Sequence, residues 1–245
     1  MSIVDDRGYN QGFKPSASLA IRNARRVAHL LRCVHPLVAP HHMLEIGCGT
    51  GEYAAILAQH PAVTILGTDI CQPFIDYARQ HYGGVNINFA CFDFTDSTEV
   101  TAHVGSTQFD SVVGNGILHH MYYHIDSVLG HIWQLLRPGG RLAFMEPNLY
   151  NPYIAAIFCI PTLRRWARLE PSEMAFRRQV IVDALMRAGF VDITVEYRDF
   201  LVPGTPALLV TPVVALGAVC ERIPLINMLA QSLLISARRP LEADR

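Results

Sequence analysis

The sequence predicts an α/β fold on a parallel sheet, and two features of residues 43–147 predict it. Short apolar runs alternate with amphipathic stretches of helical length, the pattern of successive βαβ units. The first of these runs passes through a glycine-rich turn, LEIGCGTGEYA at 44–54, straight into a helical pattern. A chain of 245 residues buries enough surface for one large domain. A single domain over 1–245 is therefore expected, with a helical segment at 1–40, a core at 41–147 and a C-terminal region at 148–245.

The elements follow in order. From Pro15 and Ser16, an apolar stripe of Leu19, Ala20, Ala24, Val27, Ala28 and Leu31 predicts a helix to about Val34, with Ser16 as its N-cap. Arg22, Arg25, Arg26, His29 and Arg32 form its other face. Next come a strand at MLEIG, a helix from Glu52 to about Gln59, a strand at TILGTDI, a helix from Gln72 to about His81 and a strand at INFACFDF. Residues 95–108 show no clear period. A strand at FDSVVG and a helix from about Tyr123 to Leu136 lead to RPGG, where proline removes a donor and glycine permits left-handed backbone. RLAFMEP then reads as a strand, 173–188 as a helix closed by Ala188-Gly189, VDITVEYRDF as a strand and SLLISARR as the last one. The apolar stretches at 152–161 and 200–220 read as insertions on one sheet.

Composition narrows the partners. A net charge of −1 gives no global attraction to nucleic acid. The six cysteines lie far apart with no C-x-x-C pair, which argues against a zinc module or a disulfide framework and for a reducing compartment. The N-terminus shows neither a basic nor an apolar signal region, so a cytoplasmic protein is expected. Residues 200–220 carry no charge, but Pro203, Gly204, Pro206, Pro212 and Gly217 interrupt any spanning helix. The segment reads better as a hydrophobic cap. Arg22, Arg25, Arg26 and Arg32, with LRRWAR at 163–168, suit anionic head groups, so peripheral membrane contact and a lipid-like ligand are expected.

Gly47, Gly49 and Gly51 allow a tight turn and close approach of backbone to a ligand. A tight turn with no ligand is the plainer alternative. Asp69 and Asp93 close the next two strands, the position from which a carboxylate reaches a ribose diol. A dinucleotide fingerprint needs glycine where Glu52 stands, which disfavours an NAD-dependent oxidoreductase. Glu45, just before the turn, suits a cationic ligand.

Glu45-x-Gly47-x-Gly49-x-Gly51, Asp69, FDF at 92–94, FDSVVGNG at 109–116 and LLRPGGRLAF at 135–144 together resemble the successive motifs of class I S-adenosylmethionine-dependent methyltransferases. The resemblance covers roughly residues 43–147 in order, and RAGF with the strands after it extends it toward the C-terminus. It implies a doubly wound, seven-stranded, mostly parallel sheet in the order 3-2-1-4-5-7-6 with the last strand antiparallel. The three segments become a helical lid, a cofactor-binding core and a substrate cap. S-adenosylmethionine is the implied cofactor: Gly47, Cys48, Gly49 and Gly51 cradle its methionine part and Glu45 supports the ammonium. Asp69 takes the ribose hydroxyls with Ile70 against the adenine, Asp93 takes the adenine amino group with Phe94 beside it, and Asn115 and Gly116 offer carbonyls to the amino acid part.

GILHHMYYHI at 116–125 follows the fourth strand and so starts near the sulfonium at the switch point. LHH resembles the L-E-H of quinone-pathway O-methyltransferases, with His119 in place of the acid and His120 matching the histidine. His120 and His124 have the i, i+4 spacing of metal ligands, but no third ligand shows clear spacing, so no metal is expected. Histidine suits a base for an acceptor that must lose a proton, and His120 and His119 are the catalytic candidates. Tyr122 and Tyr123 read as pocket wall or packing, and Glu146 as a hydrogen-bonded strand-end carboxylate. The expected function is methyl transfer to oxygen or nitrogen of a small, hydrophobic or lipid-linked acceptor. A catalytically silent, cofactor-binding partner subunit is the rival.

Overall fold

A computed structural model describes residues 17–202 and 205–241. The expected Ser16 cap, Pro203 and Gly204 lie outside the described residues. The chain runs α1 (Ala17–Val34), β1 (His41–Ile46), α2 (Glu52–Leu57), β2 (Val63–Asp69), α3 (Gln72–Tyr82), β3 (Ile87–Cys91), α4 (Ser97–Val104) and β4 (Phe109–Asn115). A 3₁₀ turn at Leu118–His124 leads into α5 (Ile125–Leu135), β5 (Leu136–Pro147), α6 (Pro152–Cys159), α7 (Pro161–Trp166), α8 (Arg178–Arg187), β6 (Val191–Arg198), α9 (Ala207–Cys220) and β7 (Ser232–Arg238).

The strands form one sheet in the order β3-β2-β1-β4-β5-β7-β6, with β7 antiparallel to both β5 and β6 and the other pairings parallel. Strand periodicity sorts the central side chains onto two faces. Leu44, Val112, Phe144 and Ile235 pack with α4, α5 and α8 on one face. Met43, Val113, Ala143, Met145 and Leu234 pack with α1, α2 and α3 on the other. Because the chain winds outward in opposite directions from β1 and β4, the carboxyl ends of these two strands border a crevice.

The buried face of α1 differs from the apolar stripe expected. Ala20, Ala24 and Ala28 are exposed, and the buried positions are Arg26, Val27, Leu30 and Val34. Small alanines gain little from burial, whereas Arg26 is drawn inward by partners distant in sequence. Its Nε and Nη2 donate to Asp199 Oδ2 at 3.0 and 2.9 Å, Nη2 also donates to Ser232 Oγ at 2.8 Å, and Nη1 donates to Asn115 Oδ1 at 2.8 Å. Arg22 Nε stands 3.4 Å from the same Asp199 oxygen. Burial alone would raise the Asp199 pKa, but Arg26 and then Arg22 hold it below the usual carboxylate range.

Of the basic groups expected to meet head groups, Arg26 and Arg22 are turned toward Asp199, whereas Arg32, Arg165 and Arg168 are exposed. Arg32 approaches Glu196 at 3.5 Å, and in LRRWAR the Arg164 guanidinium donates to the carbonyls of Phe158, Glu170 and Glu173. No described helix is long and apolar enough to cross a membrane. α9 nevertheless leaves Leu208, Leu209, Leu216 and Val219 exposed.

Several boundaries differ from expectation, among them the end of β3 at Cys91 and the start of β5 at Leu136. The unpatterned stretch contains α4, capped by Asp96 Oδ1, which accepts from Thr98 N at 2.8 Å. α5 starts two residues late because the 3₁₀ turn precedes it. α8 starts at Arg178 and not 173, because the preceding residues run alongside Asn148, with Phe176 N donating to Pro147 O at 3.1 Å and Leu149 N to Phe176 O at 2.9 Å.

Asp199→Ala leaves two arginines in the fold without their counter-charge, and urea unfolding should show a loss of about 3–5 kcal/mol. Glu196→Ala at the half-exposed pair should cost less than about 1 kcal/mol. Equal losses would contradict the assignment of Asp199 as the anchor of α1.

Candidate active site

The β1–α2 turn is built on left-handed glycines: φ is 68° at Gly47, 53° at Gly49 and 90° at Gly51. A Cβ at Gly47 would sit 2.5 Å from Ile117 Cγ1, so that position is closed to side chains. A Cβ at Gly49 would meet nothing within 4 Å, which means the middle of the loop faces open space. Gly49 N donates to Asp69 Oδ2 and Cys71 N to Asp69 Oδ1, each at 2.9 Å. Asp69 therefore ties the loop to the end of β2. The next residue, Ile70, is 55% exposed and offers an apolar surface at that end.

Glu45 lies at the end of β1 with 2% exposure, and its Oε2 has no hydrogen-bond partner among the described residues. Burial, then Glu52 and Asp69, push its carboxyl up to about 8. Cys48 is buried next to the loop, and burial followed by the charge of Glu45 pushes its thiol well up. All six cysteines are free thiols.

Asp93 follows β3, where its Oδ1 accepts from Thr95 N at 2.8 Å and Thr95 Oγ1 at 2.7 Å. Phe94 is buried in the core, its ring centroid 6.4 Å from Phe92 and 6.2 Å from His131. Asn115 ends β4 with its side-chain oxygen taken by Arg26, and Gly116 N donates to Met145 O at 2.7 Å.

His119 sits on a carboxylate that the sequence placed as a hydrogen-bonded strand-end acid. Glu146 is buried on β5, and its Oε1 accepts from Ile117 N at 3.0 Å and Leu118 N at 2.8 Å. Its Oε2 accepts from His119 N at 3.3 Å and lies 2.9 Å from His119 Nδ1. The start of the 3₁₀ turn is thereby fixed, and so is the imidazole. His119 is buried, and a Cβ built on Gly116 would lie 3.7 Å from its Cε1, so the ring stands at the crevice. His120 is partly exposed and places Nδ1 3.2 Å from Oε1 of Glu173. His124 is exposed at the far end of the turn.

Sequence reasoning missed Glu173. Met174 N donates to His119 O at 3.0 Å, and this non-local pairing brings the 172–176 segment against the histidines. No local pattern signals it. A small cavity of about 70 Å³ adjoins Gly116, lined also by Arg22, Arg26, Met145, Ile154 and Gln231. The larger cleft, about 550 Å³, lies at the edge strand against Arg178, Tyr197 and Leu225. It contains neither the glycine loop nor a histidine.

The buried acid has a consequence for stability. Glu45 titrates near 4.5 in the unfolded chain and near 8 in the fold, so the folded state holds the proton more tightly. The contribution of Glu45 to stability is then fully present below pH 4.5 and is lost as pH rises toward 8. Glu45→Gln has no proton to lose. Its Tm should gain on the wild type between about pH 5 and 8, at about 2–4 °C for each kcal/mol of ionisation cost removed. A constant difference across that range would contradict the burial of a titrating acid.

Comparison with known proteins agrees with this geometry. Residues 44–142 match the family model described as a methyltransferase domain. A ubiquinone/menaquinone biosynthesis C-methyltransferase of Desulfotalea psychrophila is 27% identical over 181 residues, 65% of this chain and 68% of the relative. A trans-aconitate 2-methyltransferase of Delftia acidovorans is 32% identical over 139 residues, 56% of this chain and 49% of the relative. The solved S-adenosylmethionine-dependent methyltransferase of Mesorhizobium loti superposes with a TM-score of 0.63 at 22% identity, over 85% of this chain and 95% of that one, a likeness of fold. Residues 44–142 thus match a methyltransferase domain, and in its glycine loop, strand-end carboxylates and strand order the chain is similar to the class I S-adenosylmethionine-dependent methyltransferases.

Proposed function

We propose that this crevice binds S-adenosylmethionine and serves methyl transfer to oxygen or nitrogen of a small, hydrophobic acceptor that must give up a proton. The pairing of His119 Nδ1 with Glu146 beside Gly116 carries the reading. The residues fit the cofactor: Glu45 has an unpartnered buried oxygen for an ammonium group, and the loop at Gly49 opens onto free space. When bound, the cofactor supplies a methyl group already activated by positive sulfur, so the protein's task is positioning and proton removal.

Each residue then has a role at a stated atom. Gly47, Cys48, Gly49 and Gly51 approach the amino acid part through backbone, Asn115 and Gly116 offer carbonyls, and Asp69, tied to the loop by Gly49 N and Cys71 N, takes the ribose hydroxyls. Ile70 covers the adenine, with Asp93 toward its amino group and Phe94 supporting that wall from the core. A histidine that donates Nδ1–H to a carboxylate keeps Nε2 as a proton acceptor. That assignment favours His119 as base, with His120, held on Glu173, as the second histidine of the wall. Glu146 also accepts the backbone donors around the ring, so the imidazole is oriented before any acceptor arrives.

The relatives' names point to small-molecule acceptors, one methylated at carbon. Ile154 on the cavity wall and the apolar residues of α9 support a hydrophobic acceptor, with α1 as the lid. Lipid linkage and contact with a membrane surface rest on the exposed apolar residues of α9 and on the exposed Arg32, Arg165, Trp166 and Arg168.

Asp69→Ala should weaken S-adenosylmethionine binding, measured by calorimetry, by about 2–4 kcal/mol through lost charge-assisted hydrogen bonds. His119→Ala should lower turnover by about 10²–10⁴ with much less change in cofactor affinity. Full turnover from pH 6 to 8 in that variant, with loss in His120→Ala instead, would move the base to His120.

A further inference from the structure

Glu173 has a buried oxygen with nothing to accept from. The residue is 1% exposed, its Oε1 accepts from Glu170 N at 3.2 Å and lies 3.2 Å from His120 Nδ1, and Oε2 has no hydrogen-bond partner among the described residues. Burying such an oxygen is unfavourable unless a donor or a cation meets it. The rings of His119 and His120 stand side by side near it, with centroids 4.2 Å apart. One ligand atom from each of His119, His120 and Glu173 lies within 4.8 Å of the others.

We propose that His119, His120 and Glu173 form a binding site for a divalent cation of the zinc class, with an open coordination position on the crevice side. Two imidazoles and a carboxylate make the three-ligand set that leaves a fourth position for water or substrate. With metal–ligand bonds of about 2.0–2.2 Å, tetrahedral ligand atoms stand roughly 3.3 Å apart, so the set has to contract by up to about 1.5 Å. Rotation of the partly exposed His120 ring supplies much of that movement.

The surroundings match what such a site needs. Glu146 takes His119 Nδ1, which leaves Nε2 as the coordinating nitrogen, and a carboxylate behind a ligating histidine fixes its tautomer and ring orientation. His119 Cε1 is next to Gly116, which puts the coordinating edge of the ring at the crevice. The ligand set is not the i, i+4 pair suggested by spacing, since His124 is exposed at the end of the turn. An ion held here would bind an acceptor oxygen and ease its deprotonation, taking over the task assigned to His119 in the metal-free protein.

The binding test is independent of methyl transfer. The purified protein, freed of metal by a chelator and then by dialysis, is titrated with Zn²⁺ by calorimetry and with Co²⁺ by visible absorption. The wild type should bind a single equivalent of either ion, with Co²⁺ developing the intense bands of a four-coordinate site. His120→Ala and Glu173→Gln should each weaken binding by roughly 10–100-fold or more. His124→Ala should bind as the wild type does. The partly exposed His120 keeps the test valid if Glu173→Gln fails to fold. No stoichiometric binding by the wild type, or unchanged affinity in His120→Ala, would overturn the site. Loss of turnover in His119→Ala together with absent metal binding would leave the base reading standing alone.

Discussion

The structure depends on one topological constraint: the sheet reverses its winding between β1 and β4. In a parallel sheet the connections leave from carboxyl ends, and where adjacent strands send their chains to opposite sides those ends cannot be covered by either connection. The glycine loop after β1 and the histidine turn after β4 are the two walls of the resulting gap. Ile117 touches the place where a side chain at Gly47 would stand, so the walls meet at their base and diverge above it. β5 adds Glu146 beneath the second wall, and the antiparallel β7 brings Ser232 to the same rim. A cofactor on one side and an acceptor on the other is what this shape accommodates.

Buried charge is arranged around that gap in two ways. Structural charges are paired: Asp199 meets Arg26 and Arg22, and Asn115 and Ser232 take the remaining Arg26 donors. α1 is thereby anchored to the β4 and β7 ends by directional contacts, where apolar packing alone would let it slide. Charges at the crevice are incomplete: Glu45 and Glu173 each keep an oxygen without a donor. Natural folds rarely leave such carboxylate oxygens unpaired, and each is a position that a donor or a cation would complete.

Much of this was legible in the sequence. Strand-and-helix alternation located the core elements to within a few residues, and five motifs in register pointed to the methyltransferase likeness because glycine turns and strand-end carboxylates are local requirements. What failed was non-local. The helical period of α1 pointed to its alanines, whereas Arg26 is buried by Asp199, far along the chain. Glu173 read as the start of a helix, because nothing near it announces that Met174 pairs with His119. Glu146 was placed as a hydrogen-bonded acid, but its grip on three successive backbone N–H groups and on His119 emerges only when β4 and β5 lie side by side. The basic face of α1 illustrates the same limit: charge on a helix face says nothing of the carboxylate that waits for it.

Hydrogen exchange of the free protein and of the protein saturated with S-adenosylhomocysteine tests the central claim, that the β1/β4 crevice is the cofactor site. The account predicts slower exchange confined to the 47–51 loop, the 69–71 strand end and the 115–120 turn, with the edge-strand cleft near Tyr197 and Leu225 unchanged. Protection centred on that cleft, or none at the glycine loop despite measured binding, would contradict it.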